Sequence, residues 1–237
     1  FKEEMKSSYT ILIPDMLPIH FKLIINILKK YGYHVELLQT STRAVVDEGL
    51  KNVHNDTCYP ALLVIGQFIN ALKSGKYDVN RTALMLTQTG GGCRASNYIH
   101  LLRKALKKEF PQVPVISLNL SGLEKGSGLS LTLPLLIKVV YAVFYGDLLM
   151  SLYNQCKPYE IHSGESESVR EKWQEKLTTI FDKREFIKCK KYCRMILEDF
   201  DKIERTKEKK IRVGIVGEIY VKYSPLANNH LEEFLLS

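Results

Sequence analysis

The chain has 237 residues, 45% of them hydrophobic and 25% charged, which is normal for a globular protein able to bury a substantial core. Its five cysteines are odd in number and scattered, which excludes the dense, even disulfide framework of a small secreted domain and points to a reducing, cytoplasmic setting. The net charge of +8 is spread over Lys104–Lys108, Lys183–Arg194 and Lys207–Arg212, with no motif that joins one-faced charge to aromatic stacking partners, so no nucleic-acid partner is expected.

The opening FKEEMKSSYT has neither the apolar core nor the cleavage site of a signal peptide and lacks an initiator Met, so the chain reads as an excised fragment. Tyr9–Pro14 is a short apolar run of the kind found in buried parallel strands. Asp15 then reads as a cap for a helix over Leu17–Lys30, closed by Gly32, and His34–Leu38 as a second strand. A short helix over Thr42–Asn52 leads to a loop, NDTCYP, and Pro60 marks the start of the next helix, running to about Leu72. Cys58 therefore falls at or just before a helix N-terminus. Thr82–Thr87 reads as a strand, the glycines after it as its exit loop, and Ala95–Lys108 as an amphipathic helix, so Cys93 also lies between a strand and a helix. Val113–Leu118 gives a further strand.

Leu129–Leu152 is the most apolar stretch, but Pro134, Lys138 and Asp147 interrupt it, and it reads as a buried helix rather than a membrane span. Helices are expected to continue to about Arg205, after a break at KPYEIHSGES. Ile211–Val216 then regains strand character, and the chain ends in an amphipathic helix carrying Leu231, Phe234 and Leu235 on one face. The expectation is an α/β fold: a Rossmann-like parallel sheet with helices on both faces and a helical insertion. Its parts would be an α/β domain over 1–128, the insertion over 129–210, and a returning strand with the start of a truncated α/β segment over 211–237.

Three readings compete for Cys58 and Cys93. Buried structural thiols usually sit inside apolar elements rather than in a GGGC loop. A nucleophile needs a nearby base, and His54, His100 and His162 make no partner motif with either cysteine. Ligation of a thiophilic metal suits two cysteines at strand-to-helix loops, because helix N-termini stabilise thiolates and backbone N–H groups can approach across Gly90, Gly91 and Gly92. Spacing alone does not separate zinc from iron–sulfur. Asn55 and Asp56 are candidate caps for the helix after Cys58, Tyr59 a shield for its sulfur, and Arg94 a partner for an anion. Asn97 and Tyr98 would face the same crevice, and Glu218, Tyr220 and Asn228 would approach the same sheet edge. Cys156, Cys189 and Cys193 read as thiols of ordinary helix faces.

The strings HNDTCYPALLVIGQFINAL, QTGGGCRASNYIHLLRKAL and VGEIYVKYSPLANNHLEEFL resemble the domain annexed to activators of 2-hydroxyacyl-CoA dehydratases. The resemblance runs through nearly the whole chain. It implies a dehydratase-like fold in which Cys58 and Cys93 ligate an iron–sulfur cluster of the 4Fe–4S type, serving low-potential electron transfer. It also implies an ATP-dependent activator, separate or fused, and an acyl-CoA as partners. The family expects three cysteines per cluster, and no third stands in a comparable loop here. That places the third ligand outside the fragment and leaves open whether the fragment alone holds a cluster or has enzymatic activity. The alternative is a cofactor-free Rossmann-like module that binds an acyl-CoA, a nucleotide or a partner protein, with GGGCRASN cradling an anion. No membrane association is expected, and a homo-oligomer is compatible with either reading.

Overall fold

The structure is a computed structural model and describes residues 1–54, 56–88, 94–119, 129 and 132–236. Four strands form one all-parallel sheet in the order β2-β1-β3-β4, with β1 at Thr10–Pro14, β2 at His34–Leu38, β3 at Thr82–Gln88 and β4 at Val115–Asn119. Ile11, Leu12, Ile13, Ala83, Leu84 and Met85 are buried, which is why β1 and β3 read as unbroken apolar runs rather than alternating ones. The strand order reverses between β1 and β3, and in open α/β sheets such a switch point opens a crevice outside the carboxyl ends of the strands.

The helices of this half are α1 (Pro18–Lys30), α2 (Arg43–Asn52), α3 (Tyr59–Lys73) and α4 (Tyr98–Glu109). α1 starts at Pro18 after Leu17, whose φ of 54° lies in the left-handed region, so Asp15 is not its cap. α3 and α4 share a core with Leu12, Leu38, Leu84 and Leu86 of the sheet. α2 can lie against α3 because two glycines face each other's helices. A Cβ on Gly66 would run into the Val45 carbonyl, and one on Gly49 into the Leu62 carbonyl.

The chain separates into two compact units. The first holds Phe1–Met16, Gly32–Ser130 and Glu218–Asn229; the second holds Leu17–Tyr31, Leu131–Gly217 and His230–Ser237. α1 packs on the second unit's helices. A correction concerns Ile211–Val216. No strand forms there, and Ile211 and Val216 are 91% and 92% exposed. An apolar run becomes a strand only when a neighbouring strand takes up its backbone groups, and among the described residues this one has none. The chain rejoins the first unit through two short helices instead, α8 (Ile219–Tyr223) and α9 (Pro225–Asn228).

The second unit is built on α5 (Leu133–Cys156), α6 (Glu165–Asp182) and α7 (Cys189–Asp201), with α10 (Leu231–Leu236) at the end of the chain. Thr132 caps α5, its Oγ1 accepting from the Leu135 N–H at 3.4 Å. Gly146 lets α1 approach α5, since a Cβ there would collide with the His20 ring, and His20 Nε2 in turn meets Asp147 Oδ1 at 2.9 Å. The α6 N-terminus is capped from a distance: Glu160 accepts from the Gly164 and Ser166 N–H groups, both at 2.8 Å, and from Lys157 Nζ at 2.6 Å.

α5 also corrects an expectation. It is long and apolar enough to cross a membrane by length and composition, yet only 28% of its most apolar window is buried. Leu135, Ala142, Tyr145 and Leu149 form its buried inner face, while the other side remains open. Pro134, Lys138 and Asp147 do not interrupt it. Pro134 lies in its first turn, Lys138 sits over the Tyr31 ring, and Asp147 pairs with His20.

Candidate functional site

The carboxyl edge of the sheet gathers side chains from four separate segments of the first unit. β1 runs out into Asp15, which is buried. Cys58 is the N-cap of α3, with extended backbone (φ −63°, ψ 148°) and no side-chain cap bond, and its thiol is half-buried. Position 58 has the extended backbone usual for an N-cap, Pro60 in the first turn suits the start of the helix, and α3 itself is held by its apolar surround. Tyr98 opens α4, and its hydroxyl lies 2.8 Å from Cys58 Sγ in a hydrogen bond. α4 is the helix that follows the GGGC loop in the chain, so the first cysteine and the second cysteine's helix meet through this bond.

The fourth segment is α8. Glu218 caps it, its Oε2 accepting from the Val221 N–H at 3.0 Å, and Tyr220 reaches into the core shared with Tyr98 and Leu226. The Tyr220 phenol is pushed up to about 12, first by burial, then by the neighbouring Asp15 and Glu218 carboxylates and Tyr59, with the Ser224 hydroxyl drawing it back. Tyr220 is therefore neutral at any physiological pH. Asp15, Tyr59 and Tyr220 lie close enough to interact electrostatically, so the edge carries a cluster of phenols and carboxylates beside the thiol.

The remaining expected residues fall as follows. Asn55, Gly90, Gly91, Gly92 and Cys93 lie outside the described residues. Asp56 does not cap α3. It is exposed, and it turns back on His54, its Oδ2 3.4 Å from His54 Nδ1 and its N–H donating to the same nitrogen at 3.3 Å. The reason is local: an Asp two residues before the N-cap reaches its own turn more easily than the helix amides. Tyr59 is the first residue of α3 and half-exposed, and the phenol on the sulfur is Tyr98's instead. Arg94 opens a short 3-10 turn, Arg94–Asn97, and its side chain is outside the described residues. Asn97 is the N-cap of α4, exposed and without a side-chain cap bond. Asn228 does not turn to the edge. Its Nδ2 donates to the Lys222 carbonyl at 3.0 Å.

The other cysteines behave as ordinary helix-face thiols. Cys156 is buried and Cys193 half-buried, and burial pushes both thiols up, away from the reactive thiolate form. Cys189 Sγ lies 3.5 Å from the Phe186 carbonyl and 3.6 Å from the Tyr145 hydroxyl. Among the described residues, no group of three or more His, Cys, Asp or Glu side chains is placed to hold a metal ion. Cys58 is the one expected ligand that is described, and its soft sulfur, helix N-terminus and neighbouring hydroxyl suit an iron–sulfur centre better than a hard cation. In comparisons with family models, curated proteins and solved structures, nothing matches the chain.

Proposed function

We propose that the chain is an iron–sulfur-binding segment of a 2-hydroxyacyl-CoA dehydratase or activator-related system, with Cys58 and Cys93 as cluster ligands. The observation that carries the reading is the Cys58–Tyr98 hydrogen bond at the carboxyl edge of a parallel sheet. It ties the N-cap of α3 to the first residue of the helix that follows the GGGC loop. A thiolate is the form that binds iron, and both a helix N-terminus and a phenol donor favour it over the thiol.

A bound cluster would supply one-electron transfer at low potential. In this reading Cys58 holds the iron, and Tyr98 orients the sulfur and donates a hydrogen bond to it, which raises the potential of the ligated centre. The resemblance to the dehydratase system supports an ATP-dependent activator as electron source and an acyl-CoA as acceptor. Four free thiols among the described residues support a reducing, cytoplasmic location.

The test is anaerobic purification and reconstitution of the longer protein that contains this chain, followed by iron and sulfide analysis and absorbance at about 400 nm, where thiolate-to-iron charge transfer appears. Iron is expected in that native protein and in its Cys189→Ser variant, and its loss in Cys58→Ser and Cys93→Ser. A colourless, iron-free native protein after reconstitution, or equal iron in all four proteins, would overturn the proposal. If such a protein still bound an acyl-CoA or a nucleotide, the sheet edge would stand as a cofactor-free binding site.

A further inference from the structure

The open side of α5 carries Leu133, Leu136, Ile137, Val140, Val143 and Phe144, all exposed, Leu133 at 69% and Val140 at 60%. Their spacing repeats every seven residues: 133 and 140 take one position, 136 and 143 the next, 137 and 144 the third. Three apolar positions per heptad is the pattern of a helix face that packs on another helix. The opposite face of α5 already packs on α1, α6 and α7, so α5 is a helix with two packing faces and one of them unused. The stripe runs for about 17 Å at the usual helical rise. Contiguous exposed apolar surface of this kind marks an interaction site rather than ordinary surface scatter.

We propose that this face pairs with the same face of a second copy of the chain, as an antiparallel, two-fold helix packing centred on Val140. This inference is independent of the iron–sulfur reading. Under that symmetry Val140 meets Val140, Leu136 meets Phe144 and Ile137 meets Val143, so every apolar residue between 136 and 144 finds an apolar partner. The next position outward, Asp147, meets Leu133 at the partner's helix N-terminus, where the helix dipole favours a negative charge. Asp147 has a 65% exposed side chain although it already touches His20.

The charges choose the orientation. Lys183, Arg184, Lys188, Lys190, Lys191 and Arg194 are all exposed, with Glu185 the one acid among them. This cluster lies beside the C-terminal part of the stripe, because the Tyr145 hydroxyl donates to the Phe186 carbonyl at 2.9 Å and the Tyr141 and Phe186 rings meet at 5.0 Å. A parallel pair would bring the two clusters side by side. The antiparallel pair staggers them along the helix axis, one on each side of Val140. An anionic bilayer would also attract the cations, but insertion of the same face would carry the Asp147 carboxylate toward the hydrocarbon.

Sedimentation velocity of the 237-residue chain at micromolar concentration is expected to give twice the 27.2 kDa chain mass. Val140→Asp puts two carboxylates together on the axis and should weaken the dimer about 100-fold or more, while the exposed site leaves the melting temperature of the monomer unchanged. Val140→Cys should form an interchain disulfide under mild oxidation above the background of the native cysteines. Leu133→Cys should do so only when mixed with Asp147→Cys. A native chain that is monomeric throughout overturns the proposal, as does a dimer indifferent to Val140→Asp. Leu133→Cys cross-linking to itself as readily as Val140→Cys would overturn it too. A monomer that binds vesicles of phosphatidylserine and phosphatidylcholine in a Val140-dependent way assigns the face to a bilayer and overturns it likewise.

Discussion

Tyr98 and Glu160 show what single side chains decide. Tyr98→Phe keeps the ring in the core and removes only the hydroxyl on Cys58, so it should cost about 1 kcal/mol of unfolding free energy in urea titration, whereas Tyr98→Ala should cost about 3 kcal/mol or more. Glu160 is buried enough that desolvation alone would raise its carboxyl, but the Lys157 ammonium, the Ser166 side chain and the Gly164 and Ser166 amides outweigh this and hold it down at about 2. Folding thus lowers this group below its ordinary 4.5, so its contribution is whole above that pH and disappears as the pH falls toward 2. Glu160→Gln should lose about 2 kcal/mol at neutral pH, and its deficit relative to native protein should shrink across that acid window, as read by urea unfolding at a series of pH values. Cys58 was legible in the sequence because Pro60 and the NDTC run mark a helix start. The Tyr98 partner was not, since no local pattern says which phenol forty residues away will reach a sulfur.

Among the elements, helices were legible wherever caps, prolines and apolar spacing agreed, as in α3, where Cys58 precedes Tyr59 and Pro60 and the apolar run ends at Lys73. What no helix pattern shows is how near its neighbour comes. Gly146→Ala must push the His20 ring aside and break its bond to Asp147, a loss of about 1–3 kcal/mol expected as a lower melting temperature. Gly66→Ala should be worse, about 3 kcal/mol or more, because its neighbour is the Val45 backbone carbonyl rather than a side chain that can rotate away. Two elements were misread for one reason. The apolar character of Ile211–Val216 and of α5 predicts burial, and apolar residues stay exposed when no partner element covers them.

On the scale of the whole molecule, the chain leaves the α/β unit three times and comes back twice, so α1, α5–α7 and α10 form a unit of their own from segments far apart in sequence. The return passage at 207–216 is exposed almost throughout and carries Lys207, Lys209, Lys210 and Arg212. Limited trypsinolysis should therefore cut there before it cuts in the helices, and early protection of these sites would mean that the passage is covered in solution. The sequence by itself determined the parallel α/β character, the order of the first three strands and helices, and the position of Cys58 at a helix start, because these follow from apolar periodicity and from the fixed backbone preferences of proline and glycine. Only the tertiary structure decided that α1 joins the helical unit, that Tyr98 is the group on Cys58, that Tyr220 arrives at the same edge, and that α5 keeps a bare face. Those outcomes depend on which surfaces meet after long loops close, and loop closure carries no signal in the residues nearby.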